Sequence, residues 1–280
     1  QLFEAPEPCE CSVCSEEPFS AGQCGGTAAP TAAPVPTPAP IPSPPVTPPP
    51  VAPTPAEDGA PLCVGDIAVG AVLIVAVQSD APDTFAFVFM VDLAQGTQLF
   101  FTDSGYDGTH EYFRDTEGTL AYTVPAPGAS AGDVVVWEDG TSDPAWSAIS
   151  GNFALSGSGD SILVYEDCGD GTIAFIHGLT YSSGGWVSPS QVASSQDSAL
   201  PPALAGANLE LSERDHLVYN GVLSGTAAAL SAVINSPDQW TADDNNRQNL
   251  DQVFSAGFDV QAATTTPSPT PSPTPSPTPF

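Results

Sequence analysis

The residues best suited to chemistry lie in one acidic loop, Asp103–Glu117, where five carboxylates are interspersed with glycines. Ca²⁺ takes about six to eight oxygen ligands, and flexible loops rich in Asp and Gly supply them. The predicted calcium ligands are Asp103, Asp107, Glu111 and Asp115. The spacing does not match an EF-hand, and the same loop fits a solvated segment in which Arg114 pairs with one carboxylate. The sequence leaves both interpretations open, and calcium is the one cofactor that it suggests.

No motif in the chain predicts catalysis. The three histidines, His110, His177 and His216, lie far apart and outside any metal-ligand or nucleophile pattern. His177 ends a predicted strand, where we expect a hydrogen-bonded framework histidine. The segment 156–160 (SGSGD) is predicted to be a turn into a strand and not a nucleophile elbow. No carboxylate pair is singled out for glycoside hydrolysis, so we predict that the protein is not an enzyme.

The charge balance excludes two classes of partner. The chain has 33 acidic residues, three arginines and no lysine, which gives a net charge of −30. Nucleic acids and anionic membrane surfaces attract basic proteins, so neither is expected to bind. No apolar run reaches the roughly 20 residues that a membrane-spanning helix needs. The composition instead predicts a soluble chain whose unassembled copies repel one another.

Six cysteines predict an oxidising, extracellular compartment, either secreted or at the cell surface. They are Cys9, Cys11, Cys14, Cys24, Cys63 and Cys168. We expect two disulfides within residues 1–25 and a Cys63–Cys168 bridge, while a bridge from the first segment to either of these cysteines or to another chain stays open. Zinc is the competing interpretation of the C-x-x-C pair, although Cys14 and Cys24 lack the matching spacing.

Composition divides the chain into four segments. Residues 1–25 are a Cys-rich N-terminal knot, 26–56 a proline-rich linker, 57–263 a β domain, and 264–280 a Ser/Thr-Pro repeat tail. Proline fixes φ and removes the backbone donor, so the two proline-rich segments are predicted to be extended polyproline II rods. Disordered linkers are the alternative interpretation.

Short runs of β-branched and aromatic residues between turn residues predict an all-β domain. The predicted strands are Ile67–Val77, Phe85–Leu93, Thr97–Thr102, Thr119–Val124, Val134–Trp137, Ser161–Glu166, Thr172–His177, Leu217–Tyr219 and Val253–Val260. The turn between Tyr165 and Ile173 predicts a hairpin, and 226–235 (TAAALSAVIN) predicts one short helix capped by Thr226. We therefore predict an antiparallel two-sheet sandwich or jelly roll.

Three runs carry a family resemblance. They are GDIAVGAVLIVAVQSDAPDTFAFVFMVDLAQGTQLFFTDSGY, FRDTEGTLAYTVPAPGASAGDVVVW and INSPDQWTADD, which together span about residues 65–245. This pattern resembles a lamin-tail-like β-sandwich module of secreted microbial and algal proteins. The resemblance implies a β-sandwich without catalytic activity. Where that family often has Asn-Gly-Trp, this chain has Ser104, Gly105 and Tyr106.

The Ser-Pro and Thr-Pro repeats resemble the hydroxyproline-rich glycoproteins of green algal walls and flagellar surfaces. That resemblance implies hydroxylated prolines and O-linked glycans, and the chain has no N-x-[ST] acceptor for N-linked ones. The implied hydroxyprolines are Pro36, Pro38, Pro40, Pro42, Pro44, Pro267, Pro269, Pro271, Pro273, Pro275 and Pro277. The implied O-glycosylated hydroxyl residues are Thr270, Ser272, Thr274 and Ser276.

Together these features predict a structural subunit of an extracellular glycosylated fibre or surface coat. Copies are expected to join head to tail into a helical homo-oligomer, with an extended segment such as 261–266 adding to an exposed sheet edge. The alternative is a carbohydrate-binding or adhesion module on a proline-rich stalk, in which an exposed tryptophan such as Trp186 contacts the ligand. A secreted hydrolase is the third hypothesis.

Overall fold

Runs of β-branched and aromatic residues form most of the regular structure. The computed structural model describes residues 67–114, 117–169 and 171–262. Its strands are β1 (Val72–Gln78), β2 (Thr84–Phe89), β3 (Leu93–Ala94), β4 (Gln98–Thr102), β5 (Tyr106–Asp107), β6 (Tyr112–Phe113), β7 (Thr119–Thr123), β8 (Gly128–Ala129), β9 (Val134–Glu138), β10 (Trp146–Ser150), β11 (Ser161–Asp167), β12 (Ile173–Thr180), β13 (Asn208–Glu210), β14 (His216–Tyr219), β15 (Ser224–Thr226), β16 (Trp240–Asp243) and β17 (Asp259–Gln261). Its helices are α1 (Ala227–Ile234) and α2 (Leu250–Val253).

Two larger sheets hold eleven of these strands. One sheet has the order β16-β14-β1-β2-β9, and the other has the order β10-β7-β4-β11-β12-β13. Neighbouring strands in both are antiparallel, except that β13 runs parallel to β12. Three two-stranded pairs complete the described strands: β15-β17, β3-β8 and β5-β6. The prediction of an all-β domain with few helices is therefore confirmed.

The core explains why β1 reads as an unbroken apolar run. Val72, Ile74 and Val77 of β1 belong to a cluster that also takes residues from the six-stranded sheet. Leu73 and Val75 belong to a second cluster, which includes residues of both helices. Both faces of the strand are buried, so no polar alternation appears in its sequence. A third cluster around Tyr106, Leu163 and Phe175 includes residues of β11 and β12.

The helix prediction is confirmed, and one strand prediction is wrong. The Thr226 hydroxyl accepts a hydrogen bond from the Ala229 N–H at 3.3 Å, and α1 follows. The predicted strand Val253–Val260 is instead the end of α2, a turn and the short β17. Asn249 caps α2 by accepting from the Gln252 N–H at 3.1 Å, and Gly257 has a φ of 62°, which an extended strand does not allow.

The predicted β1 begins five residues later than expected, at Val72, because Gly70 has a φ of 80° and interrupts the extended backbone. The predicted hairpin is present as β11 and β12. Cys168 lies directly after β11 and is disulfide-bonded. The other five cysteines, the two proline-rich segments and the predicted glycosylation sites lie outside the described residues, as does the Cys63–Cys168 pairing.

Within the described ranges, no helix has the length and apolar character needed to cross a membrane.

Candidate functional site

Among the described residues, the edge of strand β10 that faces away from β7 has no neighbouring strand. Of the outer strands of the two large sheets, β10 is the most exposed, with four of its five residues in contact with solvent. Ile149 exposes 54% of its surface, a large fraction for an apolar side chain in a strand. Trp146 anchors the strand, because its indole packs against Tyr122 at 4.9 Å and Phe101 at 5.5 Å between ring centroids. The strand is therefore fixed at one end and open along its edge.

Among the described residues, the backbone groups of Ala148 on that edge of β10 have no hydrogen-bond partner, whereas the Trp146 N–H donates to the Asp143 carbonyl at 3.1 Å. In a strand, alternate residues direct their N–H and C=O toward opposite sides. The Ala145 carbonyl accepts from Thr123 of the neighbouring chain segment at 2.8 Å, so Ser147 also faces β7, and Ala148 faces away. The register shifts between Ala148 and Ser150, which marks a bulge. Bulges limit the pairing of an exposed edge without closing it.

Two buried carboxylates, Asp103 and Asp160, and the half-buried Asp83 hold the segment that leaves β10. Asp103 accepts the Ala154 N–H at 2.7 Å, Asp83 accepts the Leu155 N–H at 2.7 Å, and Asp160 accepts the Ser156 N–H at 3.2 Å. These three consecutive donors have no ladder partner, because the segment 152–160 is not a strand. The carboxylates accept the hydrogen bonds of these N–H groups, as the carbonyls of a neighbouring strand do within a sheet. We call Asp83, Asp103, Glu117 and Asp160 the carboxylate cluster.

The same cluster ties this segment to the loop before β7. The second oxygen of Asp103 accepts the Gly118 N–H at 2.6 Å, and the second oxygen of Asp160 accepts the Ser161 N–H at 2.7 Å. Gly151 has a φ of 60° and approaches so closely that an added Cβ would overlap the Glu117 carbonyl. The exit of β10 is therefore held by both hydrogen bonds and close backbone contact.

Burial raises the pKa of every carboxyl group in the cluster. Desolvation is the largest cause in each case, and mutual repulsion adds to it. The pKa of Asp103 is raised to about 6 and that of Glu117 to about 7, the latter also by the nearby Asp103 carboxylate. The pKa of Asp160 is raised well above its ordinary value, and that of Asp83 is raised as well. The cluster therefore takes up protons near neutral pH.

Two buried oxygen atoms beside these carboxylates have no hydrogen-bond partner among the described residues: Oε2 of Glu117 and the hydroxyl of Tyr181. The Tyr181 side chain is fully buried, and its electrostatic neighbours include Asp160, Asp83 and Asp103. Within the described ranges, no three acidic, His or Cys side chains stand close enough together to hold a metal ion. In this arrangement the carboxyl groups can bind protons near neutral pH, and they hold the loop 152–160 in place.

The predicted calcium ligands are separated by this arrangement. Asp103 is fully buried and engaged with the backbone, as described above. Asp107 is half-buried, and its carboxylate accepts from the Thr109 N–H at 2.8 Å and lies 2.9 Å from Nδ1 of His110. Glu111 is exposed with a φ of 57°. Asp115 lies outside the described residues, so the four-ligand site stays a prediction.

His177 and His216 both lie beside polar groups of the framework. His177 is fully buried, accepts from the Ile74 N–H at 3.3 Å and lies 2.9 Å from the Asn235 side chain. Burial lowers its pKa to about 4, so the ring is neutral. This confirms the expected framework role. Nε2 of His216 lies 3.4 Å from a carboxylate oxygen of Asp80.

A shallow cleft of about 710 Å³ lies beside β4 and β11, the two middle strands of the six-stranded sheet. Its floor includes Phe100, which stacks on Tyr165 at 5.3 Å with an interplanar angle of 17°. Gln98, Glu166 and Asp167 supply polar groups around it. The predicted contact residue Trp186 is not at this cleft; it is half-buried and packs against the cluster around Tyr106, Leu163 and Phe175.

Comparison of the chain with protein-family models, with curated proteins and with solved structures found no match.

Proposed function

We propose that the protein is a structural subunit of an extracellular glycosylated fibre or surface coat, in which copies join head to tail. The observation that carries the proposal is the edge of β10, which no other described strand covers and which has the exposed Ile149 and the backbone groups of Ala148. An exposed edge of this kind accepts an extended segment from another chain. When the donor and acceptor surfaces differ, the contact does not close, and a filament grows.

The fold proposed for the subunit is a sandwich or jelly roll built from the two large sheets. A shared apolar cluster with residues from β1, β2, β4, β7 and β11 supports face-to-face packing of the sheets. The resemblance to lamin-tail-like modules of secreted proteins gives the same expectation. No catalytic role is proposed, and three members of the carboxylate cluster, Asp83, Asp103 and Asp160, accept backbone N–H groups.

Two observations support an extracellular location with O-linked glycans. Cys168 is disulfide-bonded, and disulfides persist in oxidising compartments. The Ser/Thr-Pro repeats between positions 267 and 279 resemble the glycosylated repeats of algal wall proteins. A net charge of −30 disfavours non-specific collapse of copies, so the contacts between them must be specific.

Electron microscopy of the native full-length protein, combined with sedimentation velocity over a range of concentrations, tests the proposal. Regular filaments with a repeat of one subunit are expected, together with a sedimentation coefficient that rises with concentration. Monomers alone at every concentration, with no fibres in native material, would contradict it.

The cleft around Phe100 supports the second hypothesis, a carbohydrate-binding or adhesion module. An aromatic ring flanked by carboxylate and amide groups offers stacking and hydrogen bonds to a sugar. This hypothesis expects that Phe100→Ala abolishes oligosaccharide binding in calorimetry. Tyr112→Ala is the control, because that ring is 44% exposed and lies outside the cleft. Absence of any sugar binding by the unaltered protein contradicts this alternative.

A further inference from the structure

The segment after β17 has the period of a β-strand. From Pro267 to Pro279 every second residue is proline, and the residues between are serine or threonine. In an extended strand, alternate residues direct their N–H and C=O toward opposite edges and their side chains toward opposite faces. If the segment changes from the predicted polyproline II conformation to that of a strand, all its prolines fall on one edge and all its serines and threonines fall on the other.

This arrangement makes a strand that can pair on one side only. The Ser/Thr edge keeps every N–H, whereas the proline edge has none. Sheets accept proline where its missing N–H points away from the neighbouring strand, at an outer position. A residue before proline is itself restricted to the extended region, which suits a strand. Once paired, such a segment would close the sheet to further growth.

We propose that the Ser/Thr edge of the segment 264–280 of one copy adds to the open edge of β10 of a second copy. The inference rests on the proposed function, because it names the segment and the strand that join neighbouring subunits. The receiving groups are the Trp146 carbonyl and the N–H and carbonyl of Ala148, which precede the bulge and lie on the free side, whereas the Trp146 N–H already donates to the Asp143 carbonyl at 3.1 Å. The tail thus supplies the missing outer strand of the six-stranded sheet.

Charge favours this occupant over an acidic one. Each chain has a net charge of −30, and the carboxylate cluster lies at the exit of β10. The segment 262–280 contains no charged side chain. An uncharged strand therefore approaches β10 without the repulsion that an acidic segment of another copy would meet.

The length of the segment 264–280 and its two-residue repeat also favour it as the segment that pairs with β10. The 18 residues after Ala262 span about 60 Å when extended, at roughly 3.3 Å per residue. A shift of two residues along the repeat restores the same pattern of donors, so the tail offers several equivalent registers to one short edge. The proline-rich linker also alternates from Pro34 to Pro44, but Pro45 follows directly and removes an N–H from the pairing edge.

Two variants of the full-length protein test the pairing. The first exchanges Ser268 with Pro269, Ser272 with Pro273 and Ser276 with Pro277, which preserves composition and proline content but removes N–H groups from both edges. The second is Ala148→Pro, which removes a donor from the free side of β10. Sedimentation velocity should show at least a tenfold increase in the concentration of half-assembly for each variant. In the assembled unaltered protein, the Ala148 amide should exchange its hydrogen at least tenfold more slowly than in the monomer.

The outcomes separate this inference from the proposed function. If the unaltered protein forms filaments and both variants assemble equally well, the pairing is wrong and the structural function stands. If the unaltered protein never assembles, the proposed function itself fails. A synthetic peptide of residues 264–279 should block assembly; if only a peptide of residues 34–44 does so, the tail is not the occupant. The thermal midpoint of Ala148→Pro shows whether its fold is intact, and the exchanged tail decides the matter if it is not.

Discussion

The two edge strands of the six-stranded sheet, β13 and β10, differ in how much of their length is exposed. At one edge, β13 is short, Leu209 is 1% exposed, and the chain around it supplies partners: the Asn208 side chain donates to the Leu204 carbonyl at 2.7 Å, and Glu210 accepts the Trp186 N–H at 3.3 Å. At the other edge, β10 is longer and exposed over four of its five residues. One edge is closed by the chain's own loop, and the other is left open.

The exposure of β10 does not follow from a shortage of chain beside it, because the segment 152–160 lies directly after the strand. The carboxylate cluster ties the segment that follows β10 to the loop before β7, because Asp103 accepts the N–H groups of both Ala154 and Gly118. Natural proteins usually protect sheet edges. A sheet that has one edge covered and the other exposed is consistent with a function for the exposed edge.

The largest effect is expected at the exit of β10. Gly151→Ala places a Cβ against the Glu117 carbonyl in a left-handed conformation, so the free energy of unfolding should fall by about 3 kcal/mol or more. Gly140→Ala is the matched control, because Gly140 has a φ of 77° with open space around it. That change should cost about 1 kcal/mol. Urea unfolding of both variants measures the difference, and equal costs would show that the exit is not tightly held.

The closed edge should depend on buried packing. Leu209→Ala removes a buried side chain from β13, and the free energy of unfolding should fall by about 3 kcal/mol. The fraction that remains folded should assemble normally, because β13 is not the receiving edge. A loss of assembly without a loss of stability would reverse the roles assigned to the two edges.

The central strands of the molecule could be anticipated from the sequence, but β13 and β10, the two outer strands of the six-stranded sheet, were both missed. The strands β1, β2 and β4 follow from their apolar runs, and α1 follows from its cap and its alanine-rich turn. β10 was missed, because the five residues 146–150 (WSAIS) have a weak local signal and depend on ring contacts of Trp146 with residues far away in the chain. The acidic loop was singled out, but the burial of Asp103 comes from tertiary packing that no local pattern encodes.

The carboxylate cluster predicts that stability falls as the pH rises from about 4 to about 7. The folded pKa values of Asp103 and Glu117, about 6 and about 7, exceed their ordinary values. The folded state therefore holds protons that the unfolded state has already lost, and stability decreases as the pH rises through these values. His177 has the opposite sign, because its folded pKa of about 4 lies below its ordinary value. It offsets the trend only below about pH 6.5.

Glu117→Gln should reduce this pH dependence. The fall in unfolding free energy between pH 6 and pH 8 should shrink by about 1 kcal/mol, since Glu117 is half-buried and solvent screens part of its interaction. Glu213→Gln removes the same charge outside the cluster and should leave the slope unchanged. Urea unfolding at several pH values measures both slopes. Equal slopes in the two variants would show that the cluster does not govern the pH dependence.

The smallest effect on stability is expected at the open edge itself. Ile149→Thr keeps β-branching in the strand but replaces a 54% exposed apolar side chain by a polar one, so the free energy of unfolding should change by less than about 0.5 kcal/mol. Its effect on assembly should be clear, because an exposed isoleucine at a receiving edge contributes apolar contact only when a partner covers it. A several-fold rise in the concentration of half-assembly in sedimentation velocity is expected. Val222→Thr is the control, since Val222 is 59% exposed and lies outside both large sheets. If the two variants assemble alike, Ile149 is an ordinary surface residue, and the open edge must act through its backbone alone.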